Sequence, residues 1–265
     1  MTAAVRDERE GRQDSVAKGA VSSWSEADGP IIVRWLDPAA VSDAEVARWL
    51  DALDAHERVA ASRFRFVADQ RQYVVAHALA RGLLGAATRS SAASLAFRRQ
   101  PGGKPELAQA GAPSSSATEV GFSLSHTRTL VAVAVGWGWA LGIDVEPSGR
   151  STAANEIAER HFAPAEAELV NRQGQTTFLR LWTLKEAYVK ATGEGLARPL
   201  RSFAFQLDPL RVDDGAPERS WRFAELRPDA GHYLALAALP SAGRNAAFAV
   251  DARAMAPAEL SGLLQ

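Results

Sequence analysis

Residues 141–146 read Leu-Gly-Ile-Asp-Val-Glu, and residues 178–193 read Phe-Leu-Arg-Leu-Trp-Thr-Leu-Lys-Glu-Ala-Tyr-Val-Lys-Ala-Thr-Gly. The first stretch alternates apolar and acidic residues, which predicts a β-strand that carries Asp144 and Glu146 on one face. The second stretch has apolar residues on most of its sides, which predicts a largely buried helix over about residues 177–192. A strand followed by a long buried helix indicates an α+β unit.

The same order of elements occurs earlier in the chain. Predicted elements at 31–36, 70–84, 95–97, 121–124 and 130–135 correspond to those at 141–145, 177–192, 203–205, 221–226 and 233–239. We therefore predict two pseudo-symmetric α+β lobes, each a small antiparallel sheet packed with a long helix, with a ligand cleft between them. Chance similarity of short alanine-rich strings is the alternative. The glycine-flanked segment 136–138 further predicts a hairpin between the strands on either side of it.

The chain has 265 residues, enough for one large domain or two smaller ones. We predict the N-terminal lobe at residues 29–138 and the C-terminal lobe at residues 139–265. Residues 1–28 are polar, carry mixed charges and lack an apolar segment. We therefore expect a disordered N-terminal tail.

The composition excludes several classes of function. Thirty basic and 31 acidic residues give a net charge of -1, so no global field favours nucleic acid or an anionic membrane. Without cysteine, the chain has no thiolate nucleophile and no cysteine-ligated zinc. No stretch approaches the roughly 18 uninterrupted apolar residues of a membrane span. We expect a cytoplasmic protein that binds neither nucleic acid nor membranes.

Asp144 and Glu146 are the first candidates for chemistry. Two carboxylates on one strand face repel each other unless a cation lies between them. Oxygen-only ligands suit a hard ion such as Mg²⁺. The alternative is a strand whose polar face simply meets solvent.

The helix supplies three further charged candidates. Lys185 falls within its apolar side, where an ammonium is costly unless it meets an anion. Glu186 and Lys190 share another side, four residues apart, which suits either a functional site or an ordinary helical ion pair.

Ser125 and His126 follow the predicted strand at 121–124. They do not form a serine-hydrolase elbow, but a histidine at a strand end can donate a hydrogen bond to phosphate. Lys104 lies in a Gly-Gly-Lys-Pro segment whose glycines would let the backbone approach a ligand. A surface turn is the alternative there.

In this order, the motifs Gly-Gly-Lys-Pro (102–105), Phe-Ser-Leu-Ser-His (122–126), Gly-Ile-Asp-Val-Glu (142–146) and Trp-Thr-Leu-Lys-Glu-Ala-Tyr-Val-Lys (182–190) closely resemble those of the 4'-phosphopantetheinyl transferases. The resemblance is to the larger, monomeric type with two fused lobes. It implies transfer of the 4'-phosphopantetheine arm of coenzyme A to a serine of an acyl or peptidyl carrier protein, with release of adenosine 3',5'-bisphosphate. A non-catalytic module that binds coenzyme A or a carrier protein is the alternative.

The resemblance also implies roles for single residues. Asp144, Glu146 and Glu186 would hold Mg²⁺, and with Lys190 they would form the catalytic set. Glu186, or a metal-bound water that it orients, would accept the serine proton. The residues implied to bind coenzyme A are Arg63, Arg81, Arg99, Lys104, Ser125, His126, Lys185 and Lys190. One departure is Ala60, which stands where relatives carry a basic residue, so Arg58 or Arg63 would have to replace that contact.

Overall fold

The computed structural model describes residues 29–100, 102–108, 120–150, 153–242 and 247–265. The predicted tail, residues 1–28, lies outside the described residues. No helix in the described ranges is both long and apolar enough to span a bilayer.

The N-terminal half contains β1 (Ile31–Leu36), α1 (Asp43–Trp49), α2 (Ala55–Ser62), α3 (Val67–Thr88), β2 (Phe97–Arg99), β3 (Pro105–Leu107), β4 (Val120–His126) and β5 (Val131–Trp137). Ser42 and Asp54 each accept a hydrogen bond from the backbone N–H of a glutamate three residues later, and that glutamate bonds back. These two capping boxes start α1 and α2 as two separate helices.

The C-terminal half contains β6 (Trp139–Pro147), α4 (Ala154–His161), α5 (Pro164–Gln173), α6 (Gln175–Thr192), β7 (Ala204–Leu207), β8 (Leu210–Asp213), β9 (Arg222–Leu226), β10 (His232–Pro240), β11 (Val250–Ala254) and α7 (Pro257–Leu263). Its helix α6 ends at Gly193, which adopts a positive φ of 74° as helix-terminating glycines do.

The two halves share one topology, as predicted. The first sheet has the order β11-β1-β5-β4 and the second has the order β6-β10-β9, so both place the first strand beside the last strand of the repeat. Each long helix is followed by a two-stranded ribbon, β2-β3 after α3 and β7-β8 after α6. The molecule therefore consists of two pseudo-symmetric α+β lobes.

The sheets pack face to face, with the long helices on the outer sides. Between the sheets lie Ala132 and Ala134 of β5 together with Ile143 and Val145 of β6. The opposite face of each sheet contributes to the core beneath α3 or the core beneath α6. Because successive side chains of a strand point to opposite faces, each sheet contributes to the layer between the sheets and to the layer beneath its own helix. The core therefore has three apolar layers.

The predicted hairpin between β5 and β6 is wrong. β5 pairs with β1 and β4, whereas β6 pairs with β10 in the other sheet. The chain passes from one sheet to the other at Gly138, which has a positive φ of 66°. One edge of β6 pairs with β10, and on the other edge the N–H groups of Ile143 and Val145 donate to the Ser123 and Ser125 hydroxyls of β4.

The C-terminal segment returns to the first lobe. β11 pairs in parallel with β1, and α7 packs on α3, where Leu260 contacts Gly82. The predicted boundary between residues 138 and 139 falls between β5 and β6. The last segment, however, packs with the N-terminal lobe, so the predicted assignment of all of 139–265 to the C-terminal lobe is wrong for β11 and α7.

Candidate active site

Strand β6 presents its two carboxylates to helix α6. Ile143 and Val145 are fully buried between the sheets, and Asp144 and Glu146 alternate with them and point the other way. The predicted placement of both acids on one strand face is confirmed.

Gly142 allows the strand and the helix to approach closely. A Cβ atom at this position would lie 1.8 Å from the Ala187 carbonyl oxygen and 2.5 Å from the Ala191 nitrogen. Both contacts are with backbone atoms, which cannot move aside as a flexible side chain would. The glycine therefore sets the distance between the acids of β6 and the charged residues of α6.

Asp144 is the centre of a hydrogen-bonded cluster. Its Oδ1 lies 2.7 Å from Lys190 Nζ and 2.9 Å from Ser125 Oγ, and Asp144 is only 6% exposed. Lys190 Nζ also donates to Ser125 Oγ at 3.0 Å and to the Ile143 carbonyl at 3.1 Å. Ser125 Oγ accepts from the Val145 N–H across the lobe boundary. The cluster thus joins β4, β6 and α6.

Glu146 and Glu186 lie close enough to Asp144 to interact with its charge. Burial raises the pKa of Glu186, and repulsion from Asp144 raises it further, while Lys190 and Arg150 oppose the rise. Burial and Asp144 raise the pKa of Glu146 in the same way. Three carboxylates therefore converge in a partly dehydrated site, and two of them hold their protons more tightly than in water.

Arg150 partly neutralises this cluster. Its guanidinium forms an ion pair with Glu146 and lies 5.0 Å from the ring centroid of Trp182. Trp182 also hydrogen-bonds Glu146. Arg150 is not among the residues predicted from the sequence, although its position four residues after Glu146 is a usable signal.

The chemistry of this cluster fits a hard divalent cation. Asp144 Oδ2 is buried and has no hydrogen-bond partner among the described residues. The available donors are carboxylate oxygens, which Mg²⁺ prefers. Nowhere in the described part of the chain do three or more His, Cys, Asp or Glu side chains already form a metal-binding group. The donors for the ion are thus present, but a complete three-carboxylate site is not preassembled.

His126 ends β4 beside this cluster and is held by Gln72 of α3. Gln72 Nε2 lies 2.7 Å from His126 Nδ1 and 2.6 Å from the Thr127 carbonyl oxygen. Because the carbonyl can only accept, the amide nitrogen must donate, and Nδ1 therefore accepts. Burial and the nearby Lys190 ammonium lower the pKa of His126, which favours a neutral ring with its hydrogen on Nε2.

A cleft of about 290 Å³ runs between the lobes next to Lys190. Its charged or titratable lining residues are His77, Arg99, Lys104 and Lys190, and the rest of the lining is largely apolar or glycine. Arg99 is exposed and donates to the Gly103 carbonyl at 3.1 Å. Arg99, Lys104 and Lys190 thus line this cleft, and Ser125 and His126 lie beside Lys190 at the end of β4.

Lys104 connects the lobes. Its Nζ donates to the carbonyls of Leu141 at 2.8 Å and Ala191 at 3.3 Å. Lys104 lies in the turn between β2 and β3, so these bonds connect that turn to β6 and to the end of α6. Burial lowers the pKa of Lys104 to about 8. Gly102 lies against Gly193 so closely that a Cβ would be 1.9 Å from the Gly193 carbonyl oxygen. The glycines of this turn thus allow contact between the two lobes.

The structure does not bring Lys185 to the site. Lys185 is completely buried, and its Nζ contacts Glu166 at 2.7 Å and the carbonyls of Leu200 and Phe203 at 2.8 Å each. These partners satisfy all three ammonium hydrogens. The apolar surroundings of Lys185 were predicted correctly, but the anion that it meets is Glu166 of α5, so its implied contact with a diphosphate has no support.

Arg81 and Arg63 also lie apart from the cluster. Arg81 is fully buried, with Nε 2.6 Å from Glu57 and Nη2 2.8 Å from Asp54, while Nη1 donates to the carbonyls of Ala92 and Leu95. Its three guanidinium nitrogens thus bind protein acceptors, and the implied contact of Arg81 with coenzyme A has no support. Arg63 is exposed at the end of α2. Neither residue lines the cleft between the lobes.

Comparison with known proteins agrees with this architecture. The family described as the 4'-phosphopantetheinyl transferase superfamily matches residues 140–237, and the one described as 4'-phosphopantetheinyl transferase, N-terminal, matches residues 40–137. The two matches coincide with the two lobes.

Curated relatives extend the match over most of the chain. The 4'-phosphopantetheinyl transferase HetI of Nostoc sp. is 30% identical over 199 residues, which cover 74% of this chain and 82% of the relative. The human L-aminoadipate-semialdehyde dehydrogenase-phosphopantetheinyl transferase is 27% identical over 230 residues, covering 77% and 74%. The Bacillus subtilis 4'-phosphopantetheinyl transferase is 30% identical over 179 residues, covering 66% and 74%. With this coverage of both lobes, the chain belongs to the 4'-phosphopantetheinyl transferase superfamily.

Proposed function

We propose that this chain transfers the 4'-phosphopantetheine arm of coenzyme A to a serine of an acyl or peptidyl carrier protein and releases adenosine 3',5'-bisphosphate. The observation that carries the proposal is the cluster of Asp144, Glu146, Glu186 and Lys190 beside the cleft between the lobes, in a chain that belongs to this superfamily. Residues from both lobes of one chain build this site, which supports action as a monomer. A cytoplasmic location is part of the same proposal.

In this proposal the diphosphate of coenzyme A lies near His126 and Lys190. His126 would donate from Nε2, because Gln72 holds Nδ1 as an acceptor. Lys190 would supply positive charge, and its ammonium is already fixed beside Asp144. Arg99 and Lys104 line the same cleft farther along, and there they would receive the nucleotide end of coenzyme A. The apolar lining excludes water from much of the ligand.

The serine hydroxyl of the carrier would attack the phosphorus that bears the pantetheine arm. A new phosphorus–oxygen bond forms to the serine, and the bond to the bridging oxygen of the diphosphate breaks. Glu186 is proposed to accept the serine proton, because burial and Asp144 make it a stronger base than a free glutamate. The other residues contribute position and charge, which is the main requirement of phosphoryl-type transfer.

Asp144, Glu146 and Glu186 are proposed to hold Mg²⁺, consistent with the unpartnered Oδ2 of Asp144. When bound, the ion would neutralise negative charge on the diphosphate. Removal of divalent ions with EDTA should abolish transfer, and added Mg²⁺ should restore it. Full activity in excess EDTA would rule out the metal assignment.

The function is tested by mass spectrometry. An apo carrier protein incubated with the chain, coenzyme A and Mg²⁺ should gain the mass of one phosphopantetheine on a single serine. Asp144→Asn keeps the size of the side chain and removes its charge, so we expect kcat to fall by a factor on the order of 10² or more with the fold retained. No mass gain with any of several acyl and peptidyl carriers would favour the non-catalytic binding module.

A further inference from the structure

Two cations of this chain each pair with one carboxylate of the cluster, but they are held in different ways. The Lys190 ammonium donates to three acceptors, one of which is Asp144 Oδ1. The Arg150 guanidinium has a single hydrogen-bond acceptor among the described residues, which is Glu146 Oε1. The Lys190 ammonium is thus fixed on several sides, whereas one contact determines the position of the Arg150 guanidinium.

The backbone at Arg150 is anchored, and its side chain is partly exposed. The Arg150 N–H donates to the Pro147 carbonyl at 3.1 Å, and the Arg150 carbonyl accepts from Gln175 Nε2 at 2.9 Å. The side chain is 32% exposed and lies over the Trp182 ring. A change of side-chain rotamer, without movement of the backbone, would therefore take the guanidinium from Glu146 into solvent.

Arg150 uses a carboxylate that the metal assignment also requires. Glu146 is one of the three proposed ligands, and its carboxylate already binds the Arg150 guanidinium and Trp182. Asp144 Oδ2, in contrast, is buried and has no hydrogen-bond partner among the described residues. One proposed ligand thus has an unused oxygen, while another is held by a cation of the chain itself.

We propose that Arg150 is an internal competitor for the metal ion, whose guanidinium holds Glu146 in the empty site and must leave it before the ion can bind. This inference rests on the metal assignment within the proposed function and adds a residue that sets the affinity for the ion. A diphosphate would bring further oxygen ligands and negative charge. Arg150 therefore favours uptake of the ion together with coenzyme A over uptake by the empty site.

The affinity of the ligand-free enzyme for Mn²⁺ tests the proposal. Mn²⁺ takes the same oxygen ligands as Mg²⁺, and the loss of its free signal in electron paramagnetic resonance reports binding. Arg150→Met removes the charge and keeps an apolar side chain beside Trp182. We expect its Kd for Mn²⁺ to fall about tenfold, the size expected when one positive charge is removed close to a divalent ion.

The matched control is Arg253→Met, which removes the same charge from another ion pair between arginine and glutamate. Arg253 pairs with Glu259 and lies on β11, at the opposite edge of the first sheet from β4. Its loss should leave the Kd for Mn²⁺ unchanged. Arg150→Gln is a second variant in case Arg150→Met fails to fold, and circular dichroism checks the fold of each.

Nitrogen-15 NMR of the arginine side chains tests the displacement itself. The Arg150 signals are identified by their absence in Arg150→Met. When Mg²⁺ is added to the wild type, the Arg150 guanidinium hydrogens should exchange faster with water, because their acceptor is lost, and those of Arg253 should not change. Tighter Mn²⁺ binding in Arg150→Met without this faster exchange would mean that the charge acts at a distance, and it would overturn the displacement.

The remaining outcomes separate this proposal from the proposed function. An unchanged Kd for Mn²⁺ in folded Arg150 variants would overturn the competition, and so would a higher Kd, which would make Arg150 a support of the site. No Mn²⁺ binding by the wild type, with or without coenzyme A, would overturn the competition together with the metal assignment. Absence of a mass gain on the carrier, with Mn²⁺ binding as expected, would overturn the proposed function and leave the competition standing.

Discussion

Each lobe contains a buried ion pair between a cation of its long helix and a glutamate, but the residues next to this ion pair differ between the lobes. Arg81 of α3 binds Glu57, and Lys185 of α6 binds Glu166; each glutamate is the third residue of the preceding helix α2 or α5 and caps its first turn. Each cation also donates to two carbonyls in the segment before the following ribbon, at Ala92 and Leu95 in one lobe and Leu200 and Phe203 in the other. The duplicated feature is structural.

The lobes differ at the positions next to that ion pair. Lys185 is followed by Glu186 and, five residues on, by Lys190, whereas Arg81 is followed by Gly82 and Ala86. Gly82 is covered by Leu260 of α7, so the corresponding face of the N-terminal lobe is packed rather than open. One copy of the repeat thus carries the charged cluster, and the other copy is closed by the C-terminal helix.

The first way to test the comparison is to remove the cation of the C-terminal lobe. Lys185→Met leaves the Glu166 carboxylate buried without its counter-charge, and breaking such a pair costs about 3–5 kcal/mol. Urea unfolding followed by circular dichroism should report this loss. We expect Lys185→Met/Glu166→Gln to recover much of it, because no net charge then remains buried. Near-wild-type stability combined with weak coenzyme A binding in Lys185→Met would instead return Lys185 to the ligand site.

The second test is the corresponding change in the N-terminal lobe. Arg81→Met removes the cation that pairs with Glu57 and Asp54. Both Glu57 and Glu166 keep backbone hydrogen bonds after loss of their cations, but Glu57 Oε1 also keeps a side-chain partner, His77 Nδ1 at 2.8 Å. We therefore expect a loss smaller than that of Lys185→Met by about 1 kcal/mol, the typical value of one retained hydrogen bond. Denaturant midpoints of the two variants, measured side by side, give this difference. A larger loss of unfolding free energy in Arg81→Met would mean that the two buried ion pairs are not equivalent.

The third test concerns Gln72, a residue of the N-terminal lobe that holds His126 beside the charged cluster. Gln72→Leu removes the donor to His126 Nδ1 and leaves the ring free to turn. We expect kcat/KM for coenzyme A to fall about three- to tenfold, in the range of one lost hydrogen bond, with little change in melting temperature. Gln72→Asn is too short to reach and should behave in the same way. If Gln72→Leu retains full kcat/KM, then Gln72 does not position His126.

The sequence predicted the repeated order of elements well, because buried strands and long apolar helices leave a strong periodic signal. It failed at the β5-β6 connection, since the glycines at 136 and 138 indicate a turn without specifying which sheet the next strand joins. That choice depends on Ile143 and Val145 packing against the facing sheet, a contact between distant segments.

In the site, too, the features set by neighbouring residues were predictable, and the contacts between distant segments were not. Alternation placed Asp144 and Glu146 on one face, which needs only neighbouring residues. Lys185 was misassigned because a lysine in an apolar arc requires an anion without indicating which one, and Glu166 lies on another helix. Gln72 left no signal, because its partners His126 and Thr127 are 54 and 55 residues away.

The smallest expected effect concerns Lys104, which joins the lobes and titrates near pH 8. Its folded pKa of about 8 lies below the ordinary lysine value of 10.5, so the unfolded chain binds more protons between these two pH values. Stability linked to this group should therefore rise with pH across that window, whereas below pH 8 the full cost of the buried charge is present.

Lys104→Met, which cannot titrate, is the reference. The unfolding free energy of the wild type relative to this variant should increase between pH 8 and 9.5, by about 1 kcal/mol or less per pH unit. Saturating coenzyme A should weaken the slope if a phosphate lies beside Lys104, because that charge would raise the pKa of the ammonium in the folded state. A slope that is present without ligand and unchanged by coenzyme A would leave Lys104 as a link between the lobes and move the nucleotide end of the ligand toward Arg99.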